Sequence, residues 1–140
     1  MTLSGRAAVT WLILCVVMFT NGAIRALLLQ PRLGEDLARQ VASLTGVLFV
    51  LLASWLFVRR CSQATSRQLL WVGVGWLAAT LAFEFSLGFV SGLGWRELLA
   101  EYNIVRGRLW SLIVLSVFLG PWLCGVARRQ RLERRRKGEA

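Results

Sequence analysis

Four long apolar stretches, separated by short polar segments, dominate the pattern of hydrophobic and polar positions along the chain. They cover residues 7–29, 41–58, 69–92 and 109–127. Each is close to the roughly 20 residues that a helix needs to cross a hydrocarbon core of about 30 Å. We therefore predict an all-α fold, an integral membrane four-helix bundle, in which residues 1–127 form one membrane domain and residues 128–140 a basic cytoplasmic tail.

The first stretch could instead be a signal peptide, because Arg6 precedes an apolar run. The run continues as far as Leu29, however, and Asn21-Gly22-Ala23 is not an A-x-A cleavage site. We therefore expect a retained span.

The two connections on the side opposite the termini differ in character. Residues 30–34 predict a turn, because Pro31 lacks a backbone N–H and Gly34 relaxes the backbone, and the acidic Glu35 and Asp36 then suit the start of the second helix. Residues 94–106 have a helical pattern of their own, with Trp95, Leu98, Leu99 and Tyr102 on one face and polar residues on the other. We expect a short amphipathic interfacial helix there, between the third and fourth spans.

The basic residues are unevenly distributed. The chain has 17 Lys+Arg against 7 Asp+Glu, a formal net charge of +10, and seven of the basic residues fall within residues 128–137. Such clustering in a tail argues against a nucleic-acid-binding surface, and we expect no nucleic acid partner. The tail suits a topological anchor, and it could also attract anionic lipid head groups or an acidic protein.

The same distribution predicts the orientation in the membrane. With four spans, both termini and the middle loop share one side, which holds eleven Lys and Arg residues against five on the other side. By the positive-inside rule, both termini are expected in the cytoplasm. Four tryptophans agree with this orientation, because they lie just inside the expected cytoplasmic ends of the helices, as an interfacial aromatic belt would: Trp11, Trp55, Trp71 and Trp122.

Composition removes much enzyme chemistry. The chain has no His, and therefore no imidazole base, no zinc–His site and no haem–His ligand. Cys15, Cys61 and Cys124 are far apart and odd in number, which supports neither a disulfide framework nor a thiolate metal site. Because paired acid–base chemistry also lacks a second deep carboxylate, we expect no cofactor, no metal, no catalytic residue and no enzyme activity.

Small residues indicate where helices approach closely. Ala38, Ala42 and Gly46 repeat at four-residue spacing on the second helix, and Gly88 and Gly92 form a GxxxG pair on the third. Packing within one bundle is the first expectation for both, and a dimer seam the alternative.

Arg25 and Glu84 are the charged residues embedded in the apolar stretches. A lone charge in that position costs at least about 2.5–3.5 kcal/mol, so each needs a partner. Arg25 lies about 6 Å and Glu84 about 12 Å from the outer ends of their spans, at 1.5 Å per residue. We expect the two to pair within a polar cluster under the outer surface, comprising Asn21, Arg25, Glu84, Tyr102, Asn103, Arg106 and Arg108.

This cluster admits three interpretations. It could be a structural Arg–Glu lock that fixes helix register, or a binding site in which Arg offers planar bidentate donors to a carboxylate or phosphate. A lone carboxylate at this depth could also carry protons.

Several strings of the sequence resemble those of small four-span bacterial inner-membrane proteins that have no established activity. They are residues 21–25 (NGAIR), 31–34 (PRLG), 83–85 (FEF) and 102–110 (YNIVRGRLW). The resemblance implies this architecture and the inner membrane of a bacterium, but it assigns no catalytic role.

We therefore expect a small polytopic inner-membrane protein with transport or channel-like activity, which binds an anionic group at the outer Arg/Glu cluster. Four helices leave little room for a pathway, so we expect a homo-oligomer. The alternative is a non-catalytic accessory or assembly subunit of a larger membrane complex.

Overall fold

Helices make up nearly all of the chain that the computed structural model describes, namely residues 2–90, 92, 94 and 110–138, with residues 110 and 136 described by their backbone alone. Helix α1 spans Leu3–Ile24 and continues through a π-helical segment, Arg25–Leu29, into the short helix α2, Gln30–Leu33. Helix α3 spans Glu35–Arg60, α4 spans Ser66–Val90 and α5 spans Trp110–Gly138.

Four of these helical stretches are long and apolar enough to cross a membrane: Leu3–Leu33, Glu35–Arg60, Ser66–Val90 and Ser111–Arg135. This confirms the predicted all-α class and the four candidate spans. We refer to the two ends of the bundle by their connections, the Gly34 end and the Ser62 end. The expected amphipathic interfacial helix, residues 94–106, falls almost entirely outside the described residues.

The first connection is tighter than expected. A turn was expected over residues 30–34, but the helix continues to Leu33, because Pro31 lies at the start of α2, where its fixed φ and missing N–H are tolerated. The chain reverses at Gly34, whose φ of +78° is accessible to glycine. Glu35 and Asp36 occupy the first turn of α3, as predicted.

Helix α5 holds the bundle together. It packs on both α3 and α4, while α1 packs mainly on α3, and α1 and α4 contact each other less than either contacts its other neighbour. The buried core includes Val50 and Phe57 of α3, Trp76 of α4 and Val117 of α5. The first span consequently forms one edge of the bundle.

Small residues set the distances between helices. Ala38, Ala42 and Gly46 are all buried, which confirms that this line faces the bundle. Gly88 is buried too, but Gly92 lies beyond the end of α4 with a φ of +77°, so the GxxxG pair is not a helical packing line. Among the glycines of the described residues, Gly73 has the closest neighbour, since a Cβ there would overlap the carbonyl oxygen of Phe118 in α5.

The basic tail is an extension of α5 rather than a separate segment, since the helix continues without interruption to Gly138. Arg129 donates hydrogen bonds to the carbonyl of Ala64 and to the hydroxyl of Ser66 (both 2.8 Å). Arg6, at the start of α1, donates to the carbonyl of Arg60 (2.8 Å). Arginines from both terminal regions therefore satisfy carbonyls at the Ser62 end, where α3 has ended.

The contact between Gly73 and Phe118 supplies a first prediction. We expect Gly73→Ala to lower the free energy of unfolding by about 1–3 kcal/mol, the usual cost of overpacking, because a backbone carbonyl cannot move aside. Unfolding of the purified protein in mixed micelles, followed by circular dichroism, measures this. Gly75→Ala is the matched control, because a Cβ there meets no atom within 4 Å. Equal stability of the two variants would contradict the close approach of α4 and α5.

Candidate functional site

A cavity of about 280 Å³ lies among the four candidate spans, with lining residues from α1, α3, α4, α5 and the start of the π-helical segment. We call it the interhelical cavity. Its apolar wall includes Leu14, Met18, Phe83, Leu87, Ile113 and Val117, and its polar and charged lining residues include Asn21, Arg25, Arg39 and Glu84. The cavity is thus apolar over most of its length and charged toward the Gly34 end.

The three described members of the predicted polar cluster all line this cavity: Asn21, Arg25 and Glu84. Asn21 has a clear structural role, since its side-chain amide donates a hydrogen bond to the carbonyl of Ala42 (2.8 Å) and so joins α1 to α3. The other predicted members, Tyr102, Asn103, Arg106 and Arg108, lie outside the described residues, and their membership stays a prediction.

Arg25 and Glu84 share the cavity, but within the described residues no ion pair joins them. The expected direct pair between these two side chains is therefore not formed. Arg25 is half-buried, and its Nε is buried without a hydrogen-bond partner in the described part of the chain. The guanidinium thus presents a buried donor at the cavity wall.

The π-helical segment begins at Arg25 itself. The Arg25 N–H is shared between the carbonyls of Asn21 and Gly22, and the residues that follow, Leu27 and Leu28, are exposed. Single π-helical turns often occur at functional sites, where they redirect side chains. Here the irregular turn coincides with the charged residue of the span.

Arg39 is a lining residue that the sequence analysis did not include. It forms an ion pair with Glu35 one turn earlier in α3, and its side chain is 19% exposed against 63% for that of Glu35. The signal was present in the sequence, because Arg39 lies three and four residues before Ala42 and Ser43, which are both buried. A charged residue in register with a small-residue line faces the interior.

Trp11 lines the cavity at its Ser62 end, and two tryptophans, Trp11 and Trp76, join α1 to α4 from there on. The Trp11 indole donates to the hydroxyl of Thr80 (3.1 Å) and packs edge-on against Phe83, with ring centroids 6.5 Å apart. One level further on, the Trp76 indole donates to the carbonyl of Ala7 (3.0 Å). Trp11 was expected in an interfacial belt, but it is half-buried, because its indole N–H is bonded to the Thr80 hydroxyl on α4.

Two other tryptophans of the predicted belt are exposed, as an interfacial position requires. Trp71 is exposed, and so is Trp55, whose ring lies 4.6 Å from the Arg59 guanidinium carbon. A cation stacked on an exposed indole near a helix end is typical of the membrane interface.

The described lining carries charges of both signs, and Arg25 is the cation that no ion pair among the described residues neutralises. Arg25 and Arg39 contribute two positive charges and Glu84 one negative charge, while Glu35, the partner of Arg39, is mostly exposed. Planar guanidinium groups bind carboxylates and phosphates through paired hydrogen bonds. No group of His, Cys, Asp and Glu side chains suited to a metal ion is found in the described part of the chain.

No protein-family model, curated protein or solved structure matches the chain. The resemblance to small four-span inner-membrane proteins therefore depends on the sequence strings alone.

The hydrogen bond between Trp11 and Thr80 supplies a second prediction. We expect Thr80→Val to lower the free energy of unfolding by about 1–3 kcal/mol, because it leaves the half-buried indole N–H without an acceptor. Thr45→Val is the matched control, since the Thr45 hydroxyl bonds to a carbonyl of its own helix, that of Val41. The same unfolding assay compares the two. If Thr45→Val costs as much as Thr80→Val, the bond between α1 and α4 contributes nothing of its own.

Proposed function

We propose that this protein is a small transport protein that binds an anionic group in the interhelical cavity. The observation that carries the proposal is the half-buried Arg25, whose Nε is buried at the cavity wall without a partner among the described residues. A buried charged donor without a hydrogen-bond acceptor destabilises the protein unless a ligand or a further polar group supplies that acceptor. An anion with two acceptor oxygens would accept hydrogen bonds from the Arg25 guanidinium.

Arg39 and Asn21 have supporting roles in this proposal. Arg39 adds a second guanidinium at the same end of the cavity, already oriented by Glu35. Asn21 holds α1 against α3 through the Ala42 carbonyl, which fixes the distance between the two arginines. A site held in place in this way loses little conformational entropy when it binds an anion.

Glu84 gives the site a means of release. Its carboxylate lines the same cavity, so its negative charge repels a bound anion. Transport requires binding that is favourable but reversible, and a resident carboxylate limits the affinity for the anion. Glu84 therefore favours transport over permanent storage of the ligand.

The proposal includes a homo-oligomer in a bacterial inner membrane. Helix α1 exposes a set of large apolar side chains that offer a contact surface to a second copy: Val9, Leu12, Ile13 and Val16. A shared pathway between copies would give four spans the room that a single bundle lacks. Cross-linking in native membranes measures the oligomeric state.

We further propose that both termini lie in the cytoplasm and that the basic extension of α5 contacts anionic lipid head groups there. In support, the exposed Arg131, Arg134 and Arg135 follow the arginines that bind carbonyls at the Ser62 end. Each basic residue near an anionic leaflet contributes about 1 kcal/mol of attraction.

A binding experiment tests the anion site. We expect Arg25→Gln to weaken binding of butyl phosphate at least tenfold, and Arg25→Lys to have an intermediate effect, because it keeps the charge but loses the planar fork. Calorimetric titration of the purified protein in phosphatidylcholine nanodiscs measures the affinity. Arg32→Gln is the matched control, because Arg32 carries the same charge at the same end of the bundle but is exposed.

Two results would contradict the anion site. One is equal affinity of the wild-type protein and Arg25→Gln for butyl phosphate, and the other is loss of binding in Arg32→Gln to the same degree. A protein that folds normally yet binds no anion would instead favour an accessory subunit of a larger complex.

Reporter fusions test the orientation. We expect fusions after Arg60 and after Ala140 to report a cytoplasmic location, and a fusion at Gly34 an external one. The reason is that the basic residues concentrate on the side of the termini and of the Ser62 end. An alkaline phosphatase reporter, active outside the cytoplasm, and a fluorescent reporter, active inside it, give complementary readings. An active phosphatase after Ala140 would overturn the orientation.

A further inference from the structure

The gap between α1 and α4 differs from the other helix contacts of the bundle. Where α4 meets α5, the backbones approach so closely that Gly73 has no room for a Cβ. Where α4 meets α1, side chains bridge the space, through the indoles of Trp11 and Trp76. Helices that are joined by long side chains, rather than by small residues, leave space between their backbones.

The interhelical cavity opens toward this gap. Phe19 of α1 lines the cavity and is 74% exposed, and Phe83 and Leu87 of α4 line it and are 44% and 47% exposed. All three lie within candidate membrane spans, so the surface that they expose faces hydrocarbon rather than water. A ligand that passes between them comes from the bilayer.

The cavity is also polar at one end and apolar along the rest. Arg25 lies near the Gly34 end of α1, and Trp11, fourteen residues earlier, marks the other end of the cavity. At 1.5 Å per residue, the two are about 21 Å apart along the helix axis. This arrangement suits a long molecule with one charged end.

We infer that the ligand is a single-chain anionic amphiphile, an alkyl carboxylate or alkyl phosphate. It enters laterally from the bilayer between α1 and α4, with its head group at Arg25 and its chain directed toward Trp11. This inference rests on the proposed function, because it names the ligand class of the same site. A free water-soluble anion would gain nothing from the apolar wall, whereas an alkyl chain fills it.

Quenching of tryptophan fluorescence by bromine tests the position of the ligand's alkyl chain. The probes are 12-bromododecyl phosphate and its neutral counterpart 12-bromododecanol, added to the full-length protein in phosphatidylcholine nanodiscs. Both partition into the bilayer and quench exposed tryptophans such as Trp55 and Trp71. We expect the phosphate to quench at least twofold more strongly, because it alone is drawn into the cavity and brings its bromine to Trp11.

Three variants locate the source of the additional quenching. It should disappear in Trp11→Phe, which removes the reporter, and in Arg25→Gln, which removes the head-group site. It should persist in Trp71→Phe, since Trp71 is exposed to lipid and does not line the interhelical cavity. Circular dichroism of each variant verifies that it is folded.

The outcomes separate this inference from the anion site itself. Equal quenching by the two probes, together with binding of butyl phosphate that depends on Arg25, overturns the amphiphile and leaves the anion site intact. Additional quenching that is lost in Arg25→Gln but kept in Trp11→Phe also overturns the amphiphile and leaves the anion site intact, since the alkyl chain then does not lie near Trp11. Equal quenching together with no binding of butyl phosphate overturns both.

Discussion

The close packing of α5 against its two neighbours is the constraint on which the rest of the structure depends. Gly73 of α4 meets the Phe118 carbonyl, and Gly120 of α5 meets Ser54 of α3, where a Cβ would come within 2.6 Å of the Ser54 hydroxyl. In a bilayer, lipid is as apolar as the helix surface, so this close van der Waals contact replaces the hydrophobic effect as the source of association. Three helices form a tight unit as a result, and the first span is added to it.

The position of that first span explains both the cavity and its closure. Because α1 packs mainly on α3 and only weakly on α4, the space between α1 and α4 is filled by side chains instead of backbone contact. Asn21 at one level and Trp11 and Trp76 at two others fix α1 through three hydrogen bonds to α3 and α4. The coupling energy of such a bond is modest, about 0.6 kcal/mol on average in a membrane protein, which is less than the cost of leaving a buried donor without any acceptor.

The sequence predicted the four spans because the length of an apolar stretch and the spacing of small residues can be read directly along the chain. Apolar length identified the four spans, and the buried line through Ala38, Ala42 and Gly46 was visible as a four-residue repeat. The contacts of Gly73 and Gly120 were not visible, because a single glycine reveals close approach only when the opposite backbone is known. For the site, the sequence singled out three of the described lining residues by their charge or polarity, but it did not single out Arg39, which precedes the second apolar stretch. The π-helical turn at Arg25 depends on packing that no local pattern encodes.

The separation of Arg25 from Glu84 bears on whether the charges serve structure or function. A structural lock would bring the two side chains together, because a direct pair removes most of the cost of burying either charge. Within the described residues no ion pair joins them, and the Nε of Arg25 is buried there without a partner, at a cost of about 1–3 kcal/mol. A leucine at this position would avoid that cost and would suit the apolar span better. Proteins tolerate such local conflicts mainly at functional sites, and this is the physical argument behind the proposed anion site.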